Sequence, residues 1–520
     1  MKKIFLFILI AMQTNNLFAS HQAGGEITWT CQGTSYVFHV KYYRDCNGIP
    51  GPSLVSLTTT VPGVPAILCN LINQIDISPT GTSGSGNAPC PTCAGAAGNP
   101  GAVEELNYQS AIITLPGTPP AGGWAFWYGD CCRSSALSNI SAGGSWGYAL
   151  RAKMYPFTGF VAGQCTDASP FLAEKPSVLL CTDYPVNYNN NAVDPELDSL
   201  IYSWDSPIED VPYPWTPAIP FCCGYSVNSQ FPGTPTLNIH SGEITYTPLM
   251  GGYFTTVVKV SAYKCNVLAS EIWRDVNITL INGCTIPVAG NPLNNPPLIT
   301  PPFTGPGGPN TVYERTVCAG DSVEFTLPAS DFDIFPPANL QTLTLNASGT
   351  QFGTGFTSAT GGCPLPPCAT LTPAPPVNSP GGLQVNFKWV TSVVHLICDP
   401  TYYFYFNTKD NYCSAPAIND RAVAITVLPP NCSTTGLNAT SGTLPIVTIY
   451  PNPVGEKLIV KTNNSELSEI VLFDMVSRKL LQQQFKNAVS FNTEHLERGI
   501  YLYEVRGKNG VLKKGKVVKE

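Results

Sequence analysis

Polar and apolar residues alternate in short runs along most of the chain. In GEITWTCQGTSYVFHVKYY, residues 25–43, Ile27, Trp29 and Cys31 alternate with Glu26, Thr28 and Thr30. After QGTS, Tyr36, Phe38, Val40 and Tyr42 alternate with Val37, His39, Lys41 and Tyr43. A period of two marks a strand with one buried face. Folding the segment about QGTS sets Trp29 opposite Phe38 and Ile27 opposite Val40, all on one side, as hairpin register requires. Cys31 then falls opposite Tyr36 and is not placed to bond Cys46. Glu26 falls on the polar face, where a solvated glutamate is expected. GEITYT, Gly242 to Thr247, repeats five of these first six letters and leads through PLMGG into YFTTVVKVSAY. The same rule predicts a second hairpin there, with Tyr246 opposite Phe254 and Glu243 on the polar face.

No stretch sustains a helical period, so the fold class expected is all-β. It comprises several tandem immunoglobulin-like β-sandwich domains plus a small C-terminal β-sandwich. The tandem reading rests on two segments. Counting from Cys181 and from Cys318, both show Val fifth (Val186, Val323) and an aromatic seventh (Tyr188, Phe325). Both show Ala eleventh (Ala192, Ala329), Asp thirteenth (Asp194, Asp331) and an acid fifteenth (Glu196, Asp333). RDVNITL from Arg274 then matches RAVAITV from Arg421.

Composition changes this picture in three ways. The 520 residues include Gly 46 and Pro 49, which imposes frequent turns, and only 12% are charged. Residues 284–310 carry eight prolines and read as a stiff, extended linker. Lys2 and Lys3, the apolar run Ile4–Met12 and the small residues Ala19 and Ser20 read as a secretory signal. The expected division is therefore a signal peptide at 1–20, a Cys-rich β domain at 21–169 and a first sandwich repeat at 170–284. A Pro-rich linker at 285–310, a second repeat at 311–428, a linker at 429–445 and the small sandwich at 446–520 complete it.

Nineteen cysteines lie between Cys31 and Cys432. In an exported chain these read as disulfides, and the odd count leaves at least one thiol unpaired or pairing between chains. The candidates are Cys31, Cys46, Cys90, Cys93, Cys131, Cys132, Cys181, Cys222, Cys223, Cys265, Cys318, Cys398 and Cys413. Cys90 and Cys93 have CxxC spacing, read as a disulfide at a Pro/Gly turn rather than a zinc site. The neighbours Cys131-Cys132 and Cys222-Cys223 are expected to point to opposite faces and bond elsewhere. Charge divides the chain as well. Residues 444–520 hold 12 Lys+Arg against 8 Asp+Glu, and residues 20–443 hold 13 against 26. An acidic exported body argues against nucleic acid as a partner, and no later apolar run is long enough for a transmembrane segment.

The tail carries YPNP at Tyr450, Pro451, Asn452 and Pro453, LERGIYLYEV at Leu496–Val505 and KGKVVK at Lys514–Lys519. In order and spacing these resemble the C-terminal sorting domain of the Por (type IX) secretion system, type A. Ser477 stands where that family usually has Gly, and Asn492 where it often has Asp. Tyr450, Pro451, Asn452, Pro453, Gly499, Tyr501 and Lys516 fall on the sorting motif. The resemblance implies the type IX secretion machinery as partner and localisation as a secreted, outer-membrane cell-surface protein. The GGEI and YRDC elements near the start are similar to the first module of large adhesin-like surface proteins with the same tail.

Asp194, Glu196 and Asp198 in DPELD, with Asp331 and Asp333, form the candidate metal set, and calcium is the ion hard carboxylate oxygens suit. The bland alternative is a pair of Asp-capped turns; no other cofactor is expected. Five scattered histidines, and the lack of a nucleophile elbow, P-loop or dinucleotide fingerprint, name no catalytic residue. The reading is a non-enzymatic cell-surface protein, adhesin-like or structural, whose body ligand would be a surface glycan or a protein. The alternatives are a secreted hydrolase (protease or glycosidase) and a glycan-binding protein that uses aromatics in Trp124–Tyr128.

Overall fold

The computed structural model describes residues 22–80, 90–95, 101–282, 284, 294–305, 308–331, 333–335, 339–413, 415–430, 432, 447–462, 467–474, 478–507 and 510–519. The expected signal peptide, residues 285–293 of the first linker and most of the second linker lie outside these. The chain forms two compact units, Met1–Cys432 and Ser433–Glu520. Among the described residues it is all-β, with single 3₁₀ turns as the only helical elements.

In the larger unit eight strands pair in a ring. The order is Gln22–Gln32, Ser35–Asp45, Val103–Ser110, Ala66–Asp76, Leu54–Thr59, Trp124–Asp130, Tyr148–Met154 and Val267–Ile281. The last strand pairs back to the first through Gly24↔Val276 and Glu26↔Arg274. Closure depends on Gly24 and Gly25. A Cβ on Gly24 would collide with the Asp275 carbonyl, and one on Gly25 with the Lys41 carbonyl and Leu150. The first hairpin has the expected register, Ile27↔Val40, Trp29↔Phe38 and Cys31↔Tyr36. Its inward face packs Trp29, Phe38 and Phe126, with the two Phe ring centroids 4.7 Å apart.

Two immunoglobulin-like sandwiches follow. In the first, Leu179–Cys181 runs parallel to the end of Val267–Ile281, which pairs with Gly252–Lys264 and then Ser199–Trp204. Val186–Asn189, Glu243–Tyr246 and Thr236–Leu237 lie in the other sheet. In the second, Glu314–Cys318 runs parallel to the end of Ile418–Leu428, which pairs with Thr401–Lys409 and then Thr342–Ser348. Opposite lie Ser322–Ser330, Gly382–Val390 and Thr370–Thr372.

The expected boundaries do not separate sheets. Val267–Ile281 belongs to both the ring and the first sandwich, so the chain is continuous in structure across 169/170. Val186–Asn189 of the first sandwich runs beside Ile418–Leu428 of the second through Asn187↔Asn419. Residues 294–305 are not a free spacer either. Asn294 is fully buried, and Leu298–Ile299 adds a strand on Ser330 and Ala329. The predicted hairpin of Tyr246 with Phe254 does not form. Glu243–Tyr246 pairs with Val186–Asn189, whereas Gly252–Lys264 pairs with Val267–Ile281, so PLMGG carries the chain from one sheet to the other.

The smaller unit is a sandwich of two sheets. Val447–Tyr450, Lys457–Thr462 and Ala488–Asn492 form one. Lys479–Phe485, Ser468–Phe473, Gly499–Gly507 and Gly510–Lys519 form the other. Val460, Ile470, Tyr501, Tyr503 and Val505 lie in its core.

Candidate functional sites

Glu26 is not solvated. It is 1% exposed and is held between Arg274 Nε, 2.5 Å from Oε2, and Lys41 Nζ, 3.3 Å from Oε1. Burial pushes its carboxyl up, but the two cations outweigh this and leave it below the usual range. The Arg274 guanidinium also donates to the Glu174 carbonyl and to Asn190 Oδ1. The neighbouring Asp275, on the opposite face of the strand, receives both Nη atoms of the fully buried Arg133 and the Thr255 hydroxyl. Arg133 lies 4.4 Å from the centroid of the Tyr148 ring. Two adjacent letters of one strand thus fix two different regions, because alternation sends them to opposite faces.

Of the cysteines, Cys31 bonds Cys165, Cys46 bonds Cys93, Cys90 bonds Cys413 and Cys181 bonds Cys284. Cys265 bonds Cys398, Cys318 bonds Cys432 and Cys363 bonds Cys368. The CxxC pair is therefore not a bridge within itself; its members reach different partners, one of them in the second sandwich. The expectation for the neighbouring cysteines is also overturned, since Cys131 bonds Cys132 and Cys222 bonds Cys223. Each of these pairs lies in a turn or loop rather than a strand, so the opposite-face reasoning does not apply. Cys69 is the leftover thiol, buried, with its pKa pushed up to about 12 by burial. The one grouping of potential metal ligands among the described residues, Cys46, Cys93 and Glu104, contains a disulfide.

The candidate acids form two separate clusters, each with the same local turn. Asp194 Oδ1 accepts the N–H of Glu196 and of Asp198, and Asp331 Oδ1 accepts the N–H of Asp333. Their surroundings differ. In the first cluster Lys264 Nζ lies 2.8 Å from Asp167 and 3.0 Å from Asp198, an internal cation that spacing in DPELD could not reveal. Burial, partly offset by the Lys264 hydrogen bond, raises Asp167 to about 7. Burial also raises Asp194 well above the usual range. In the second, Asp333 accepts from the Asn295 backbone and amide, and burial raises Asp331 to about 6.

The aromatics of Trp124–Tyr128 divide between core and partial exposure. Trp124 and Phe126 are buried, while Trp127 is half-buried with its ring 6.3 Å from that of Trp215. His39 meets the Thr30 hydroxyl, and the buried His395 caps Ser392 and contacts the Leu365 carbonyl.

In the smaller unit Asn452 and Lys516 are brought together. Asn452 Nδ2 donates to the Lys516 carbonyl at 3.0 Å, and its Oδ1 accepts the Val518 N–H at 2.9 Å. YPNP is thereby laced to the strand that contains KGKVVK. The ring of half-exposed Tyr450 lies 5.5 Å from Lys461 Nζ. Gly499 pairs with Lys519, and the buried Tyr501 donates its hydroxyl to the Glu497 carbonyl. Pro451 and Pro453 are exposed.

Among the described residues no helix is long and apolar enough to cross a membrane. No curated protein matches the chain in sequence. Among solved structures it is similar to the CupB2 chaperone of Pseudomonas aeruginosa, at 13% identity over 40% of this chain and 97% of that one, TM-score 0.16. It is similar to SGBP-B of the mixed-linkage glucan utilization locus of Bacteroides ovatus, at 11% identity over 66% and 65%, TM-score 0.12. It is similar also to Drosophila N-cadherin EC1-4, at 11% identity over 91% and 92%, TM-score 0.15. Residues 448–520 match the family described as secretion system C-terminal sorting domain; the chain thus carries a type IX sorting domain, which directs it to secretion and surface attachment.

Proposed function

We propose that the body is a non-enzymatic, adhesin-like or structural module displayed on the cell surface by the sorting domain. The observation that carries this reading is the covalent stapling of its three β regions. Cys90–Cys413 ties the ring to the second sandwich, and Cys265–Cys398 ties the first sandwich to the second. Loops of that length, 323 and 133 residues apart in sequence, gain the most from cross-linking. Such a body suits a rigid spacer or binding platform under mechanical load. The test has two arms. Cells expressing the chain without residues 447–520 should lose surface-exposed protein, whereas those expressing the full chain retain it and gain attachment to surfaces or to one another. Turnover of protein or polysaccharide substrates by the purified full chain would overturn the non-enzymatic reading, and unchanged attachment would overturn the adhesive one.

A further inference from the structure

The second acid cluster extends beyond what sequence spacing reveals. Asp410, just past Thr401–Lys409, is 2% exposed, and the charge of the 4%-exposed Asp331 acts on it. Asn294 Nδ2 donates to Asp410 Oδ2 at 2.7 Å, and Gln341 Nε2 donates to Asn294 Oδ1 at 2.7 Å. That anchors the fully buried Gln341 amide in the cluster and leaves its Oε1 with no donor. Asp331 Oδ2 is likewise buried with no donor. Burial and the Asp333 charge raise Asp331, and burial and the Asp331 charge raise Asp410. Asp410 Oδ1 accepts the N–H of Tyr412 and of Ala417, so the acceptors left without a donor are Asp331 Oδ2 and Gln341 Oε1; buried acceptors of this kind are costly unless a cation or a proton meets them.

We propose that Asp331, Asp410 and the Gln341 amide oxygen hold a calcium ion where Asn294–Pro297 meets the second sandwich. Calcium takes six to eight oxygens in flexible geometry and accepts amide and backbone carbonyl oxygens beside carboxylates, whereas magnesium demands a near-ideal octahedron. The mixed donor set fits calcium for that reason. The site also lies at a junction. Asn419 Nδ2 holds the Pro297 carbonyl, and Tyr412, Ala415 and Ala417, just past Asp410, pack into the core shared with the ring. A bound ion would tie the proline-rich segment to both. In the first cluster Lys264 supplies a cation to Asp167 and Asp198, which sets it apart from the second.

The test uses the purified full chain. Calcium at about one hundred times its Kd should raise Tm by roughly 3 °C, with reversal by EDTA and a smaller rise in equimolar magnesium. Terbium should give Tyr-sensitised luminescence, since Tyr412 adjoins Asp410, and calcium should displace it. Asp331→Asn should abolish both signals, and Asp194→Asn should retain both. If Asp331→Asn fails to fold, Gln341→Met, which keeps the volume but removes the oxygen, must weaken terbium binding at least tenfold. The absence of any calcium-dependent Tm shift would overturn the proposal. So would a shift untouched by Gln341→Met.

Discussion

Gly25–Thr30 and Gly242–Thr247 share five of six letters, yet their glutamates sit in opposite electrostatic situations. Glu26 is sealed in the ring between Arg274 and Lys41, which hold its carboxyl below the ordinary range. Glu243 is half-buried in the first sandwich, where its Oε1 accepts the Ala422 N–H at 2.9 Å. Burial pushes its carboxyl up despite that bond and despite Arg421. Both nevertheless face the start of a matching motif within a strand. Glu26 meets the Arg274 of RDVNITL, and Glu243 meets the Ala422 of RAVAITV. The two segments around these strands also share pairings, since Cys181↔Ile281 and Cys318↔Leu428 end equivalent parallel ladders. What differs is what meets each carboxylate: Arg274 and Lys41 pair with Glu26, whereas Glu243 accepts the Ala422 N–H and the Ser241 hydroxyl. Short motifs therefore specify a strand and its register, while the charge state of a side chain is set by residues far away in sequence.

Removing each glutamate tests that difference most directly. Glu26→Ala leaves Arg274 buried and uncompensated, and should cost about 3–5 kcal/mol. Glu243→Ala deprives one backbone N–H of its acceptor and should cost about 1–2 kcal/mol. Denaturant unfolding of the two variants against the parent chain measures both. Equal losses would mean that the ion pair in the ring contributes no more than a single capping hydrogen bond.

The pH dependence should separate them by sign. The folded pKa of Glu26 lies below its ordinary value of 4.5, so its contribution is present above that pH and is lost as pH falls below it. The stability gap between the parent and Glu26→Gln should thus widen as pH rises towards 4.5 and level off above it. Glu243 has a folded pKa above 4.5, so ionising it weakens the fold. Glu243→Gln should accordingly gain on the parent as pH rises beyond that point. Chemical denaturation at a series of pH values reads both slopes, and parallel slopes would sink the contrast.

The first hairpin was legible because everything that fixes it is local: a period of two, a short turn and matching apolar faces. The second was not, because alternation identifies a strand without naming its partner. Leu249 and Met250 in PLMGG are 74% and 54% exposed, as fits a crossing between sheets rather than a turn within one. The tail motifs were legible since Tyr450–Pro453 and Lys514–Lys519 are short, ordered and specific. The candidate acids were found where the turn places them adjacent in sequence. Lys264, Asp167, Asp410 and Gln341 were missed, since each reaches its cluster only through tertiary pairing. Arg133 and Asp275, separated by 142 residues, were invisible for the same reason.

The smallest expected effect probes how Glu26 divides its two cations. Lys41 is 30% exposed, lies 3.3 Å from Glu26 Oε1 and also donates to the Leu172 carbonyl. Arg274 is 1% exposed and closer. Solvent screens Lys41, so Lys41→Met, which keeps the stem that packs along the strand, should cost about 0.5–1 kcal/mol. In a Glu26→Gln background the same change should cost less, because the attraction is already gone. The coupling from this double-mutant cycle should then account for most of the single-variant loss. Salt offers an independent check, since a partly exposed pair is screened at high ionic strength and a sealed one is not. Raising salt should shrink the Lys41 coupling while leaving the cost of Glu26→Ala nearly unchanged. A Lys41 coupling that equals the whole Glu26 effect would reassign the pair's stability to the exposed cation, and the contrast between the two glutamates would then rest on Lys41 rather than on burial beside Arg274.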